Sequence, residues 1–401
     1  MLIYWIWFAQ LGGISLVQKL ELLQHFHDPE EIYHLQGNIS EVPEKIMEAL
    51  EDKDLSQAER ILIDCDQKGI GILTIRDEYY PEKLRNTYDP PLVLYVKGTV
   101  PEWNTIPVIG IVGTRKASSY GLQTAWRFGG QIASSGALVV SGGAAGIDGQ
   151  AMEGALYAGF STVGVLGCGV DVVYPASNRN LFKRTAEVGC LISEYPPKTP
   201  GNWWHFPQRN RIISGMSDGL LVVEAPEKSG ALITAKLAMD QGRDVYVVPG
   251  NVGVEACIGS NALLQDGGIA ALSGWDVVKE YEALYPGKVS KNQIPPYTPE
   301  KPLKVAQTAA FSEELQNSDE VSQKKYIDKE AKSTYSVLDS ALPDLSETEQ
   351  AILACVPREA VLIDDVIAQL DIPAGTVRSI LTKLSLKRLT VNHPGGRISR
   401  K

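Results

Sequence analysis

The chain has 401 residues, 44% hydrophobic and 21% charged, a composition typical of globular proteins with two or more domains. Its formal net charge of −10 argues against a histone-like coating of nucleic acid. Five scattered cysteines without a CxxC pair argue against a disulfide framework or a zinc site, so no metal is expected.

The acidity is concentrated in the N-terminal quarter of the chain. Residues 1–105 contain 9 Lys/Arg against 18 Asp/Glu, whereas residues 106–275 contain 12 of each. A local basic groove is therefore compatible with the middle of the chain, despite the acidic total.

Residues 1–75 are predicted to form a small helical domain. The apolar start MLIYWIWFAQL lacks a basic n-region and a cleavage site, which favours a short buried helix over a signal peptide. LVQKLELLQHF repeats apolar residues at helical spacing, and DPEEIYHL begins with an Asp-Pro cap signal. Paired helices around a glycine turn are typical of helix-hairpin-helix modules, but the acidic surroundings favour a packing or partner role.

Residues 76–285 are predicted to form an extended Rossmann-like domain. Runs of Val, Ile and Leu without polar alternation are typical of parallel strands buried on both faces. Helix-length segments separate most of these runs, which predicts a doubly wound, mostly parallel α/β sheet. The strand-like runs are residues 106–113, 137–143, 161–167, 218–225 and 244–250, preceded by a connector that ends in LVLYVKG.

The C-terminal part is predicted to contain a linker and a second small domain. Residues 286–340 are rich in Ser, Gln, Lys and Glu with little apolar periodicity, which indicates a disordered linker. Residues 341–401 begin with a capping-box pattern at Ser346 and Glu349. Helix-turn-helix spacing and a short hairpin at LTVNHPGGRISRK follow, which predicts a winged-helix-like domain. No stretch reaches the ~18 apolar residues that span a bilayer, so we expect a cytoplasmic protein without a membrane partner.

The loop GIVGTRKASSYG follows the first strand of the predicted sheet. Gly113 allows close backbone approach, and Arg115 and Lys116 supply positive charge. Ser118 and Ser119 can cap the next helix and offer hydroxyls to phosphate oxygens. The loop matches neither G-x-G-x-x-G nor the Walker A pattern, so a dinucleotide cofactor and ATP hydrolysis are disfavoured and no cofactor is expected.

Two further loops follow the next two strands. SGGAAGIDGQ contains Gly142 and Gly143, whose backbone N–H groups can form an anion nest. Asp148 in this loop stands near a helix start, where an aspartate is more often a cap than a catalyst. Another loop, GCGVDVVYPASNRNLFKR, is predicted to supply the following residues: Arg179 and Lys183 as phosphate ligands, and Phe182 either as a base-stacking face or as a core residue.

The segment FPQRNRIISGMSDGLLVVEAPEKSGALITAK combines a basic stretch, a buried strand and a helix start. Asn210 and Arg211, beside Arg209, precede the strand, and Ser229 and Gly230 begin the helix. A helix N-terminus has unpaired N–H groups that favour an anion. Alone, the segment also fits an ordinary βα unit.

These loops are expected to share one cleft, because the carboxyl ends of parallel strands meet at one edge of the sheet. The cleft would be rich in phosphate donors. None of the five histidines, His25, His27, His34, His205 and His393, falls in a glycine loop. We therefore predict a binding site without catalytic residues.

The ordered motifs GTRKASSYG, SGGAAGID, GCGVDVVYP, ISEYPP, FPQRNRIISG, VVEA, SGALITA and VVPGN closely resemble the DprA/Smf family of DNA-processing proteins over about residues 80–275. The resemblance implies an extended Rossmann fold that binds single-stranded DNA, forms a homodimer and helps to load the RecA recombinase during natural transformation. It implies no chemical reaction.

The resemblance also implies roles for individual residues. Arg115 matches the arginine of the family's G-S-R loop, Phe182 matches a base-contacting aromatic, and Asn210 and Arg211 match the R-N-R core. Many members carry Arg and His where this chain has Ala145 and Met152. Both departures weigh against a hydrolytic role at this loop.

Two other functions remain alternatives at this point. A Rossmann-like nucleoside monophosphate phosphoribohydrolase also uses a G-S-R-type loop, but it needs a P-G-G-x-G-T-x-x-E motif. The nearest run, residues 249–253, lacks the second glycine and the threonine of that motif. A transcription factor acting through the winged helix is the other alternative.

Overall fold

The computed structural model describes residues 1–35, 42–291 and much of the C-terminal region. The described C-terminal residues are 347–359, 361–368, 370, 372, 377, 380–381, 384–385, 389–393 and 397–400. The chain divides into two compact units, Met1–Thr298 and Pro299–Lys401. Most of the predicted linker at 286–340, and Ser346 of the predicted capping box, lie outside the described residues.

The first unit is built on a nine-stranded sheet within these described ranges. The strands are β1 (Gly71–Thr74), β2 (Val93–Gly98), β3 (Val108–Val112), β4 (Leu138–Ser141), β5 (Thr162–Val165), β6 (Cys190–Ser193), β7 (Gly219–Val222), β8 (Asp244–Val247) and β9 (Ile269–Ala270). Their order is β1-β2-β6-β5-β4-β3-β7-β8-β9. The pairs β1/β2 and β2/β6 are antiparallel, and all other neighbours are parallel.

This order confirms the predicted doubly wound, mostly parallel sheet. Successive strands β4, β5 and β6 extend from β3 in one direction, and β7, β8 and β9 extend in the other. The direction reverses between β3 and β7, where Gly110 pairs with Leu220. In open α/β sheets, the crevice at the carboxyl ends of the strands beside this reversal is the usual ligand site.

Helices accompany the strands of this unit. They are α1 (Leu2–Gln10), α2 (Leu16–His25), α3 (Pro29–Tyr33), α4 (Glu44–Leu50), α5 (Ser56–Lys68), α6 (Glu82–Arg85), α7 (Ser119–Ser134), α8 (Ile147–Tyr157), α9 (Arg179–Val188), α10 (His205–Met216), α11 (Gly230–Asp240), α12 (Ile258–Gln265) and α13 (Gly274–Val278). None of the described helices has the length and apolarity to span a membrane.

Local sequence signals explain several helix ends. Ser15 and Gln18 form a capping box at the start of α2, which satisfies two backbone N–H groups that a helix start leaves unpaired. Helix α5 ends at Gly69, whose φ of 60° is left-handed and suits a residue without a Cβ. Ser118 caps α7 and Ser229 caps α11, each accepting a bond from a backbone N–H inside the helix.

The alternation of side chains along β3 divides its residues between two buried clusters. Ile109 and Ile111 pack in a cluster with α7, α8 and α13. Val108 and Val112 belong to the other cluster, which also contains residues of α10 and α11. Both faces of β3 are therefore covered, which is why its sequence is continuously apolar.

The second unit contains α14 (Glu347–Ala354), β10 (Val361–Leu362), α15 (Ile363–Ile367), β11 (Thr390–His393) and β12 (Arg397–Arg400). Strands β11 and β12 form the predicted hairpin, and β10 pairs with β12 on its other side. Ile352, Val366, Leu381 and Ile398 belong to a separate core. Helices beside a small antiparallel sheet fit the predicted winged-helix arrangement. Much of the predicted helical segment at 373–388 lies outside the described residues.

Candidate nucleic-acid interface

The loops after β3 and β7 are joined across the reversal point of the sheet. The Thr114 backbone N–H donates to the Glu224 carbonyl at 2.8 Å. The Glu224 carboxylate, 2% exposed, accepts from the Ser118 N–H at 2.9 Å and from the Ser118 hydroxyl at 2.5 Å. Glu224 therefore holds the predicted phosphate loop in one position against β7.

The predicted cations of this loop are exposed. Arg115, Lys116, Ser118 and Ser119 all lie at the surface. The Ser118 hydroxyl also accepts from the Gly121 N–H at 3.0 Å, so it has the predicted capping role. Gly113 directly follows β3 and lies beside Ile147 at the start of α8.

Glycine is required at the second loop because charged side chains lie directly against its backbone. A Cβ on Gly142 would lie 2.5 Å from both the Arg209 guanidinium and the Asp148 carboxylate. Gly143, with a φ of 61°, lies over the Phe182 ring. This loop has its carbonyls engaged: Gly142 O accepts from Arg209, and Gly143 O accepts from Asn178.

Helix α9 starts beside the glycine loop and carries two predicted cations. The Asn178 amide donates to Gly143 O at 3.0 Å and to Ala144 O at 3.1 Å, which fixes the start of the helix. Arg179 and Lys183 are exposed. Phe182 is only 3% exposed; it is a core residue in this structure and presents no face to a base.

The predicted basic segment at 209–211 lies inside helix α10. Arg209 is 4% exposed and donates to Gly142 O at 2.6 Å and to Val165 O. Arg211 is paired with Glu194 at 2.7 Å and Asp89 at 3.2 Å. The Asn210 amide lies 3.5 Å from Gly230 O. Arg209 therefore braces the glycine loop from within, and Arg211 is held by two carboxylates while its second terminal nitrogen is buried without a hydrogen-bond partner among the described residues.

The buried pair Asp148 and Arg209 sets the electrostatics beneath the glycine loop. Burial raises the pKa of the Asp148 carboxyl, while the Arg209 guanidinium and the Gly113 backbone N–H oppose that shift. Asp148 lies in the first turn of α8, where a carboxylate interacts favourably with the helix dipole. At 6% exposure, Asp148 is closed off from a ligand in solution.

Sequence reasoning missed the aromatic residues of this edge. The Arg115 guanidinium lies 5.2 Å from the centre of the Phe206 ring, and Phe206 stacks on Tyr174. Trp203 and Trp204 precede α10 and are exposed. The signal in the sequence is the presence of aromatic residues in the loop segments VVYP and NWWHFP.

The site therefore combines exposed Arg115, Lys116, Arg179 and Lys183 with glycine loops and an aromatic rim. Within the described residues, no group of three or more His, Cys, Asp or Glu side chains is arranged to bind a metal. Such an arrangement can hold phosphates and nucleobases.

Comparisons with known proteins agree with this architecture. The family model described as DNA recombination-mediator protein A matches residues 71–282, and the DprA winged helix domain matches residues 338–396. DNA processing protein DprA of Bacillus subtilis (strain 168) is 41% identical over 221 residues, 55% of this chain and 74% of that protein. Protein Smf of Synechocystis sp. is 32% identical over 413 residues, 99% of this chain and 98% of that protein.

A solved structure is similar over part of the chain. The X-ray structure of DNA processing protein A from Streptococcus pneumoniae superimposes with a TM-score of 0.60 at 31% identity, over 70% of this chain and 98% of that one. Because the family model spans more than half of the chain and Protein Smf aligns with nearly all of it, the chain belongs to the DprA/Smf family of DNA-processing proteins.

Proposed function

We propose that this protein binds single-stranded DNA at the carboxyl edge of its sheet and acts as a recombination mediator, without carrying out a chemical reaction. The proposal rests on one observation: some basic residues at this edge are exposed, whereas another is buried. Arg115, Lys116, Arg179 and Lys183 are exposed, whereas Arg209 is buried and bonded to the protein. The exposed set is available for phosphates, which dominate nucleic-acid affinity.

A nucleotide-processing enzyme is less well supported. The titratable group nearest the glycine loop, Asp148, is closed off by burial and lies against Arg209. A general acid or base must come within hydrogen-bond reach of the reacting atom. Detection of free base after incubation with nucleoside monophosphates would favour the enzyme over the binding protein.

The proposal predicts that Arg115→Ala and Arg179→Ala each weaken binding of a single-stranded oligonucleotide. Each lost phosphate contact should reduce the slope of log K against log salt by about 0.7, because fewer counterions are released from a single strand. Affinity is measured by fluorescence anisotropy across a salt series.

Arg184→Ala is the matched control, because Arg184 lies on the same helix as Arg179 but is paired with Glu153 at 2.6 Å. Its affinity and salt slope should stay close to those of the wild type. Unchanged affinity and slope in both Arg115→Ala and Arg179→Ala would overturn the proposed interface.

The proposed partners are RecA and a second copy of the chain, and the proposed location is the cytoplasm. This part rests on membership of the family, whose model is described as a recombination mediator. We expect the protein to shorten the lag of RecA assembly on single-stranded DNA, and light scattering to give the mass of a dimer. An unchanged lag would contradict the loading role, and the mass of a monomer would contradict the dimer.

A further inference from the structure

An exposed aromatic band borders the phosphate loop. Tyr174 is 46% exposed, Trp203 62% and Trp204 47%. Single exposed aromatic residues are normal, whereas a contiguous exposed apolar patch marks an interaction site. The band consists of Tyr174, Trp203, Trp204 and Phe206.

Ring contacts and a glycine join this band to Arg115. Tyr174 and Phe206 are stacked, with ring centres 5.2 Å apart and planes inclined by 30°, and Arg115 lies over Phe206. A Cβ on Gly201 would lie 3.3 Å from Phe206 and 3.4 Å from Tyr174. The backbone leading to Trp203 therefore lies against both rings, and Trp203 and Trp204 contact each other with ring centres 5.6 Å apart.

The band is fixed to the end of the sheet. His205 is bonded through Nδ1 to Gly167 O at 3.1 Å and stacks on Tyr195, with ring centres 3.9 Å apart. Phe206 lies close to Gly167 at the end of β5. Side chains held in place before binding lose little entropy when a ligand arrives.

A short connection along the chain links the band to the start of α9. A 3₁₀ turn, Ala176–Asn178, connects Tyr174 to Arg179, and its Asn178 is bonded to the glycine loop. Phosphates held by Arg115 and Arg179 would therefore have their bases next to the Tyr174 ring.

We propose that Tyr174, Trp203 and Trp204 stack on the bases of the unpaired strand, an inference that rests on the proposed function. Bases in a duplex already stack on one another, so only an unpaired strand has base faces free for the band. Stacking is tolerant of sequence because every base has a π-face. The band thus supplies the preference for single strands that the cations alone do not give.

The test compares two ligands of equal length, an oligothymidylate and the same backbone with abasic sites. Tyr174→Ala, Trp203→Ala and Trp204→Ala should each weaken oligothymidylate binding by roughly 5- to 100-fold. The same variants should bind the abasic strand as the wild type does, and their salt slopes should be unchanged. Tyr157→Ala is the control. Tyr157 is 66% exposed, but it lies at the C-terminal end of α8, whereas the N-terminal end of that helix faces the glycine loop.

Aromatic replacements separate stacking from loss of structure. Tyr174→Phe, Trp203→Phe and Trp204→Phe keep a ring and should retain affinity close to that of the wild type. The two tryptophan variants should also show less quenching of intrinsic fluorescence by oligothymidylate. If an alanine variant fails to fold, the fluorescence quenching of the wild type and the affinities of the phenylalanine variants still test the stacking inference.

Three results would overturn the inference. Alanine variants that bind oligothymidylate as tightly as the wild type, while Arg115→Ala binds more weakly, refute stacking and leave the proposed function standing. If the wild type binds the abasic strand as tightly as oligothymidylate, the stacking inference is refuted and the proposed function still stands. A wild-type protein that binds neither ligand refutes both proposals.

Discussion

At the scale of single residues, an exposed and a buried arginine at the sheet edge have different roles. Arg115 is at the surface, whereas Arg209 is 4% exposed and donates to the carbonyls of Gly142 and Val165. Arg209 also lies against Asp148, the buried carboxyl beneath the glycine loop. A buried cation with these partners holds the loop in shape, and the surface cation remains for the ligand.

Arg209→Met is therefore predicted to destabilise the fold. The substitution leaves two buried carbonyls without a donor and the Asp148 carboxyl without its nearest cation, so the free energy of unfolding should fall by about 3–5 kcal/mol. Urea denaturation measures the change. Arg184→Met removes an exposed pair with Glu153 and should cost about 0–1 kcal/mol. Equal losses in the two variants would contradict this role of Arg209.

The residue types of the site were predictable, but the direction of their side chains was not. Arg115 and Arg211 both follow a pattern of basic residues near a strand end. Helix α10 turns Arg211 toward Glu194 and Asp89, which lie in other parts of the chain. Phe182 was predicted either to face a base or to lie in the core, and its position under Gly143 follows from the packing of α9. Such contacts between distant segments leave no trace in local spacing.

At the scale of elements, the C-terminal end of helix α1 is capped by a lysine side chain from helix α2. The Lys19 ammonium on α2 is 5% exposed and donates to Ala9 O at 2.9 Å and Leu11 O at 2.8 Å. These carbonyls lie at the C-terminal end of α1, where a helix leaves carbonyls unpaired and favours a cation. Burial lowers the pKa of Lys19 to about 8.

This lysine predicts a pH dependence of stability with a definite sign. The folded protein releases the Lys19 proton near pH 8, whereas the unfolded chain retains it up to its ordinary pKa of 10.5. Between these values the unfolded state binds more protons, so rising pH stabilises the folded state. The wild type should gain stability relative to Lys19→Met from pH 8 to 10.5, as measured by urea denaturation across that range. A constant difference between the two proteins would contradict the buried position of Lys19.

Five strands of the sheet were predictable from apolar runs, and β6 was not. Strands β3, β4, β5, β7 and β8 lie within the predicted runs, because the residues of these strands are mostly buried and apolar. Strand β6 has the sequence CLIS and lies outside the predicted runs, although it is as long as β4, β5, β7 and β8. It pairs with β5 on one side and with the antiparallel β2 on the other, a placement that only the assembled sheet provides.

At the scale of the whole molecule, the N-terminal helices share their core with the sheet. One buried cluster contains Trp5 and Phe8 of α1 together with Leu94 and Tyr95 of β2. Ion pairs join α5 to loops of the sheet: Lys68 with Asp171, and Asp64 with Lys198 at 2.6 Å. Exposed pairs contribute about 0–1 kcal/mol each, so the shared apolar surface accounts for most of the attachment. The predicted domain boundary at residue 75 stays a prediction.

Two truncations test how the chain divides. Removal of residues 1–75 should expose the apolar surface of β2, because the helices that cover it are gone. The remaining fragment should bind a hydrophobic dye and melt at a lower temperature than the full chain. Removal of residues 292–401 should leave the melting of the sheet unit unchanged, since the C-terminal unit has its own core of Ile352, Val366 and Ile398. Thermal unfolding followed by circular dichroism compares the fragments. A 76–401 fragment that melts with the full chain would instead establish an independent helical domain, and the acidic N-terminal quarter would then be free to serve a partner without disturbing the sheet.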